Sequence, residues 1–262
     1  MVSSYKRFFE TASPLTLLIG INAGLYAVAV LVGFITYLSG TFPLFEHIYH
    51  KLALPGTPQL LLKQPWSLLT HMFLHDIKSF WHLFFNMLWL FWMGKLFLTT
   101  QPASHLYWAY GLGGLGGIIG YLTYAWSHYP YPSYALGASA AVNGVFFATV
   151  MLMPHFQVYL LFLGPIALRW LGLIWVFLDM ILTLSGNEAS AIAHLGGTAA
   201  GILFGYLLRQ GVDFSSFWSE LFQRREVTPE EIDRILEKIH QKGMKSLTRR
   251  ERELLRRAAE RL

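Results

Sequence analysis

No Asp, Glu, Lys or Arg occurs between Glu10 and Glu46, or between Lys95 and Arg169. A helix or strand facing water needs polar cover, so uncharged stretches of this length point to hydrocarbon as the surrounding medium. From Thr11 to Arg209 the formal charges are Glu46, Lys51, Lys63, Asp76, Lys78, Lys95, Arg169, Asp179 and Glu188, whereas acids and bases alternate densely after Arg209. Composition agrees, because 54% apolar and 13% charged residues exclude the disordered, fibrous and ordinary cytosolic classes. The chain reads as an all-α polytopic membrane protein with its polar mass in a tail.

Bridging a hydrocarbon core takes roughly 20 apolar helical residues. That length predicts six spanning helices, over residues 14–39, 80–99, 103–126, 137–153, 167–185 and 189–208. Lys6, Arg7, Lys95, Arg169 and Arg209 fall on one side if the helices alternate, against Lys51, Lys63 and Lys78 on the other. Both termini are then expected in the cytoplasm, and a bacterial inner (cell) membrane is the expected location. The first span is too long for a signal peptide and lacks a small-residue cleavage site, so its retention is expected. The connection from Gly40 to Phe80 holds apolar pieces too short to span, such as Trp66 to Leu74, which suits a segment lying in the interface. The fourth span is entered after Pro130 and Pro132 and closed by Pro154, and its rise of about 25 Å leaves one end below the membrane surface.

The expected organisation is a cytoplasmic N-terminus (1–13), a six-span unit (14–208), a linker (209–225) and a small cytoplasmic helical hairpin (226–262). In the hairpin, Thr228-Pro229-Glu230-Glu231 has the order of an N-cap followed by a first-turn Pro, and Ile232, Ile235, Leu236 and Ile239 form one stripe. Gly243 is placed to end that helix, and Thr248 with Glu251 forms a second capping box. The net charge of +5 comes largely from basic residues beside spans, where they set orientation and touch anionic lipid. The lipid bilayer is therefore the expected partner, and nucleic acid is not. Without cysteine there is no disulfide, thiolate nucleophile or sulfur metal site, so covalent chemistry falls to Ser, Thr, His or carboxylates.

Polar groups inside a bilayer are costly and therefore worth weighing as functional: His82, Asn86, Ser139, Asn143, Asp179 and His194. Ser139 lies in Gly137-Ala138-Ser139-Ala140-Ala141 at the mouth of the short fourth span, on a first turn whose N–H groups lack intrahelical partners and favour negative charge. The same small residues are also what closely packed membrane helices use. His194 precedes Gly197 and Gly201, whose four-residue spacing lets a neighbouring helix approach closely enough for a Ser–His hydrogen bond, although a histidine bonded to a backbone carbonyl fits too. His82 and Asn86, four apart, share one helix face and suit either the side-chain half of an oxyanion hole or a polar interhelical pair. His71 and His75 repeat the spacing in the interfacial segment, where they would orient it or carry water and protons.

Two rival chemistries fail on residue identity. A zinc protease helix needs His-Glu-x-x-His, but Met72 stands where the Glu should follow His71. An aspartyl dyad needs paired carboxylates, and Asp179 has no twin, so it reads as a buried, hydrogen-bonded or neutral structural residue, with a proton-linked role as the alternative. No metal and no cofactor is expected. Gly111, Gly113, Gly114, Gly116, Gly117 and Gly120 crowd the third span and read as tight helix packing, not as a phosphate loop.

Trp66 to His75, His82-x-x-x-Asn86, Gly137-x-Ser139 and His194-Leu195-Gly196-Gly197, in that order over six spans, resemble the rhomboid intramembrane serine proteases across residues 14–208. The resemblance implies a six-helix rhomboid-like bundle and a Ser–His dyad without a third acid. Ser139 would be the nucleophile and His194 the general base. His82, Asn86 and the Ser139 backbone N–H would form the oxyanion hole, with Gly137, Asn143, His75, Gly197 and Gly201 in support. The implied activity is serine-type endopeptidase cleavage of single-span transmembrane protein substrates; the alternative is a catalytically silent protein of the same fold that binds and escorts transmembrane helices. The chain departs from the family in Ala140, where Gly is common, in Trp66-Ser67, where some members have Trp-Arg, and in Asn143, where an aromatic ring is usual. Asn143, one turn beyond Ser139, is expected to face His194 and bond it where a ring would stack.

Overall fold

The structure, a computed structural model, describes residues 13–128, 133–160, 164–184, 186–214, 229–243, 246–248 and 251. The chain divides into two units, Met1–Ser215 and Ser216–Leu262.

In the first unit, α1 (Pro14–Leu38) starts where the Ser13 hydroxyl accepts the Thr16 N–H, with Pro at the first helical position. The connection that follows contains α2 (Phe42–His50), α3 (Pro58–Lys63), α4 (Ser67–Thr70) and one 3₁₀ turn (His71–Phe73). The remaining helices are α5 (Phe80–Phe97), α6 (Ala103–Ser127), α7 (Ser139–Leu152), α8 (Leu168–Thr183) and α9 (Glu188–Arg209). A helix lies over each of the six apolar stretches read from the sequence. By length and apolarity alone, two of those described, Pro14–Leu38 and Glu188–Arg209, suffice to cross a membrane.

The chain is mainly helical, in keeping with an all-α fold, but two antiparallel ribbons were not expected. β1 (Leu54–Pro55) pairs with β2 (Tyr134–Ala135), and β3 (Gln157–Leu160) pairs with β4 (Gly164–Ala167) between α7 and α8. Strands of two to four residues are too short to display an alternating pattern.

Polarity is distributed as hydrocarbon requires. α1 exposes Leu31, Phe34 and Ile35, α5 exposes Phe80, Trp81 and Phe85, and α8 exposes Leu173, Phe177 and Leu178. The interior instead holds Asn22, His71, His75, Asn86, Asn143, Thr149, Asp179 and Thr198. Broad apolar exteriors around buried polar groups mark a protein of the membrane.

α7 occupies the centre. Every residue from Ala140 to Val150 is buried, and its 14 residues rise only about 21 Å. Small residues let its neighbours approach to backbone contact: Gly113 of α6 faces Gly144, and on α9 Gly197 faces Ala140 while Gly201 faces Gly144. A side chain at any of these glycines would strike backbone atoms. Most glycines of α6 thus serve packing, with Gly116 against Gly196 and Gly120 against Ile192, whereas Gly111 faces open space.

The connection before α5 is tied down from several directions, the Trp66-Ser67 departure notwithstanding. Trp66 Nε1 donates to Lys51 O at 2.8 Å, Tyr49 OH to His75 O at 2.7 Å and Tyr110 OH to Met72 O at 3.0 Å. The Gly137 N–H donates to His71 O at 3.0 Å, which couples this connection to the start of α7. After α9, the Trp108 indole donates to Phe214 O at 3.1 Å and the Phe214 N–H to His105 Nε2 at 3.3 Å. The first residues of the stretch read as a linker are therefore docked on α6.

In the second unit, α10 (Pro229–Lys242) ends at Gly243, which has φ +75°. Beyond it, Thr248 N–H donates to Glu251 Oε2 at 2.7 Å and Glu251 N–H to Thr248 Oγ1 at 3.2 Å, a reciprocal capping box. Most of the second arm of the expected hairpin lies outside the described residues.

Candidate active site

Ser139 is the first residue of α7, and Gly137 shapes the approach to it. Gly137 has φ +134°, a region that side chains disfavour. A Cβ there would also sit 3.0 Å from the His82 ring atoms Cε1 and Nε2. Glycine thus provides both the turn into α7 and the room for His82 beside it.

His194, on α9, is three residues before Gly197, so the close crossing of α7 and α9 brings its ring to the head of α7. His194 Nε2 lies 2.8 Å from Ser139 Oγ, within the range a nucleophile–base pair requires. On the other side of the ring, His194 Nδ1 lies 2.9 Å from Asp179 Oδ1. Asp179 belongs to α8 and is 3% exposed. It is buried and hydrogen-bonded, as the sequence suggested, but its partner is His194, which sequence reasoning missed. Trp175 and Asp179, four apart on α8, share one helix face in the sequence, but that spacing does not say which neighbour the face meets.

Asn143 takes a different position from the one expected. Its Nδ2 donates to the backbone oxygen of His194 at 3.4 Å, not to the ring, and its Oδ1 accepts from Trp175 Nε1 at 3.1 Å. The ring is bonded by Asp179 instead, while the Asn143 carboxamide is taken up by the His194 backbone oxygen and the Trp175 indole.

His82 Nδ1 accepts the Asp76 backbone N–H at 3.4 Å. A neutral imidazole accepting at Nδ1 carries its proton on Nε2, the atom beside Gly137. Asn86 Nδ2 donates to His82 O at 2.7 Å, and the carboxamide keeps a second N–H. His82, Asn86, Ser139 and His194 line one cavity of about 470 Å³ together with Trp89 and Trp175. A second cavity, about 260 Å³, meets Ser139 and His194 beside Gly117, Tyr121 and Ala193.

His75 is fully buried, and its ring centroid is 5.2 Å from that of His82. Burial pushes His71 and His75, both in the connection before α5, down to about 4. Gly197 and Gly201 act through helix approach and touch no reacting atom. No group of three or more potential metal ligands converges among the described residues.

The assembled groups offer a hydroxyl with an adjacent imidazole, a carboxylate behind that imidazole, and N–H donors from a helix start and a second histidine. Comparison with known proteins bears on the family of the chain. The rhomboid domain model matches residues 62–211, and a family of unknown function (DUF6576) matches residues 223–261. The chain is similar to RHOMBOID-like protein 12, mitochondrial, of Arabidopsis thaliana, with 30% identity over 160 residues, 55% of this chain and 47% of that protein. It is also similar to Rhomboid protein 1, mitochondrial, of Saccharomyces cerevisiae, with 31% identity over 153 residues, 52% of this chain and 40% of that protein. The matches thus span less than half the length of either relative, and both names carry a mitochondrial location, at odds with the bacterial inner membrane expected from the sequence. With a family model covering more than half of its length, the chain belongs to the rhomboid family.

Proposed function

We propose that this protein is an intramembrane serine endopeptidase, with Ser139 as nucleophile and His194 as general base, acting on single-span transmembrane proteins. The observation that carries the reading is the 2.8 Å approach of His194 Nε2 to Ser139 Oγ across two helices whose glycines permit it. As Oγ bonds to the scissile carbonyl carbon, its proton passes to Nε2, and the same proton then goes to the departing amine. Water hydrolyses the acyl-enzyme by the same exchange in reverse order. The negative oxygen of each tetrahedral intermediate would be held by the Ser139 backbone N–H, His82 Nε2–H and the free Asn86 N–H.

A short α7 with its head below the surface brings water to a peptide bond at membrane depth. Six spans, with both termini on one side of the bilayer, are part of this reading, and the helices over the six apolar stretches and the basic residues beside them support it. A substrate helix must locally give up backbone hydrogen bonds to expose the bond, which favours small or helix-weakening residues near the cut.

The test is a serine-reactive fluorophosphonate probe applied to the purified protein in detergent. Labelling is expected in the natural protein and lost in Ser139→Ala and His194→Ala of matched thermal stability. A folded protein that never labels would support the helix-binding alternative instead.

A further inference from the structure

We propose that Asp179 is a positioning residue for the base: its ionised carboxylate accepts the His194 Nδ1–H, fixes the tautomer that leaves Nε2 free to take the Ser139 proton, and stabilises the imidazolium that results. This rests on the serine endopeptidase reading above. It goes beyond that reading because the family resemblance implies a dyad without a third acid.

Three observations carry it. The first is distance: Asp179 Oδ1 is 2.9 Å from His194 Nδ1 while Nε2 of the same ring is 2.8 Å from Ser139 Oγ. One imidazole therefore lies in a line between carboxylate and hydroxyl. The second is isolation, because Asp179 Oδ2 is buried with no hydrogen-bond partner among the described residues, where the imidazole is the carboxylate's one partner. A lone acid on a helix that elsewhere exposes Leu173, Phe177 and Leu178 is costly unless its charge is used. The third is that Asn143, one turn beyond Ser139, bonds the backbone oxygen of His194 and not its ring. Trp175 and Asp179, one turn apart on α8, then divide the work: Trp175 binds Asn143 and Asp179 binds the ring.

During attack the proton leaves Ser139 Oγ for His194 Nε2, and the Nδ1 proton stays on nitrogen. The carboxylate takes up no proton in the cycle. The groups facing the pair are Ser139 and Asn143 from α7, Trp175 on α8 and His82 from α5, which interacts electrostatically with His194.

The experiment compares the natural protein with Asp179→Asn, Asp179→Glu and Asp179→Leu in detergent, following substrate cleavage against pH and the ¹⁵N spectrum of the histidine rings. Asp179→Asn is expected to lower kcat on the order of 10²- to 10⁴-fold with KM nearly unchanged, and to move the acidic limb of the kcat profile to lower pH. Asp179→Glu should recover part of the loss, and Asp179→Leu none of it. A kcat that falls only in step with thermal stability, on an unmoved acidic limb, would overturn the proposal. The spectrum separates this idea from the endopeptidase reading: in Ser139→Ala, His194 should carry its proton on Nδ1, and Asp179→Asn should redistribute it. A proton on Nε2 with Asp179 intact would overturn the positioning role even in an active enzyme. A tautomer that follows Asp179 in a protein without turnover would support the positioning role while the endopeptidase reading failed.

Discussion

Gly197 on α9 rests against the backbone of Ala140, the residue that follows Ser139 on α7. With Gly201 against Gly144 one turn on, it holds α9 close to α7 beside the Ser139–His194 pair, and any side chain at 197 would meet the Ala140 carbonyl. Gly197→Val should push the helices apart and lengthen the Ser139–His194 distance. A displacement on the order of 1 Å costs about 10²-fold in rate, so substrate turnover should fall by that much. Thermal unfolding in detergent, measured alongside, should show a lower midpoint. Normal turnover in Gly197→Val would mean that the crossing does not set the pair.

Gly137→Ala tests the turn into α7. The φ of +134° and the 3.0 Å approach to the His82 ring both oppose a methyl group. Strain of this kind costs about 1–3 kcal/mol, and its relief would displace His82. Turnover should drop while the helix content seen by circular dichroism stays the same.

His82→Ala and Asn86→Ala should each act on kcat and leave KM nearly unchanged, because the donors would meet charge that exists only during reaction. A loss on the order of 10²–10³-fold for His82→Ala matches removal of an oxyanion donor. Asn86 also holds the His82 carbonyl, so Asn86→Ala should disturb both donors, and the double variant should fall short of the product of the two losses. Steady-state kinetics on all three variants checks this.

Stability should decline on acidification because of the connection before α5. Burial pushes His71 and His75 down to about 4, while free histidine titrates near 6.5. Between those values the unfolded chain binds protons that the folded one refuses, so stability falls as pH drops from about 6.5 to about 4 and levels off below. The unfolding midpoint against pH should fall less steeply in His75→Gln than in the natural protein. Equal slopes would show that His75 does not carry the effect.

Deletion from Glu226 onward should leave a folded, active first unit, whereas ending the chain at Gly211 should lower its stability. The difference lies in Phe214, which Trp108 and His105 bind through its backbone. Thermal unfolding of both truncations beside the full chain distinguishes them.

The helices of the first unit are legible because charge-free stretches report on a medium that rejects charge, and prolines such as Pro154 mark where helices end. The ribbons are not, since Gln157–Leu160 is too short to carry a period. The polar residues that meet around Ser139 are each visible as groups that a bilayer penalises, and the small residues Gly197 and Gly201 announce a close crossing without naming its partner. Asp179 shows the limit. Its cost in the membrane is plain from sequence, but its partner depends on how α8 is rotated against α9, and no local pattern encodes that rotation. Asn143 fails for a related reason, because spacing along α7 places it near His194 without deciding between ring and backbone.

Cleavage of a fluorescent single-span substrate by the full-length protein in detergent, beside Ser139→Ala and His194→Ala at matched thermal stability, tests the proposed chemistry most directly. Turnover by the natural protein that vanishes in both variants is the predicted result. Turnover that persists in Ser139→Ala would contradict it.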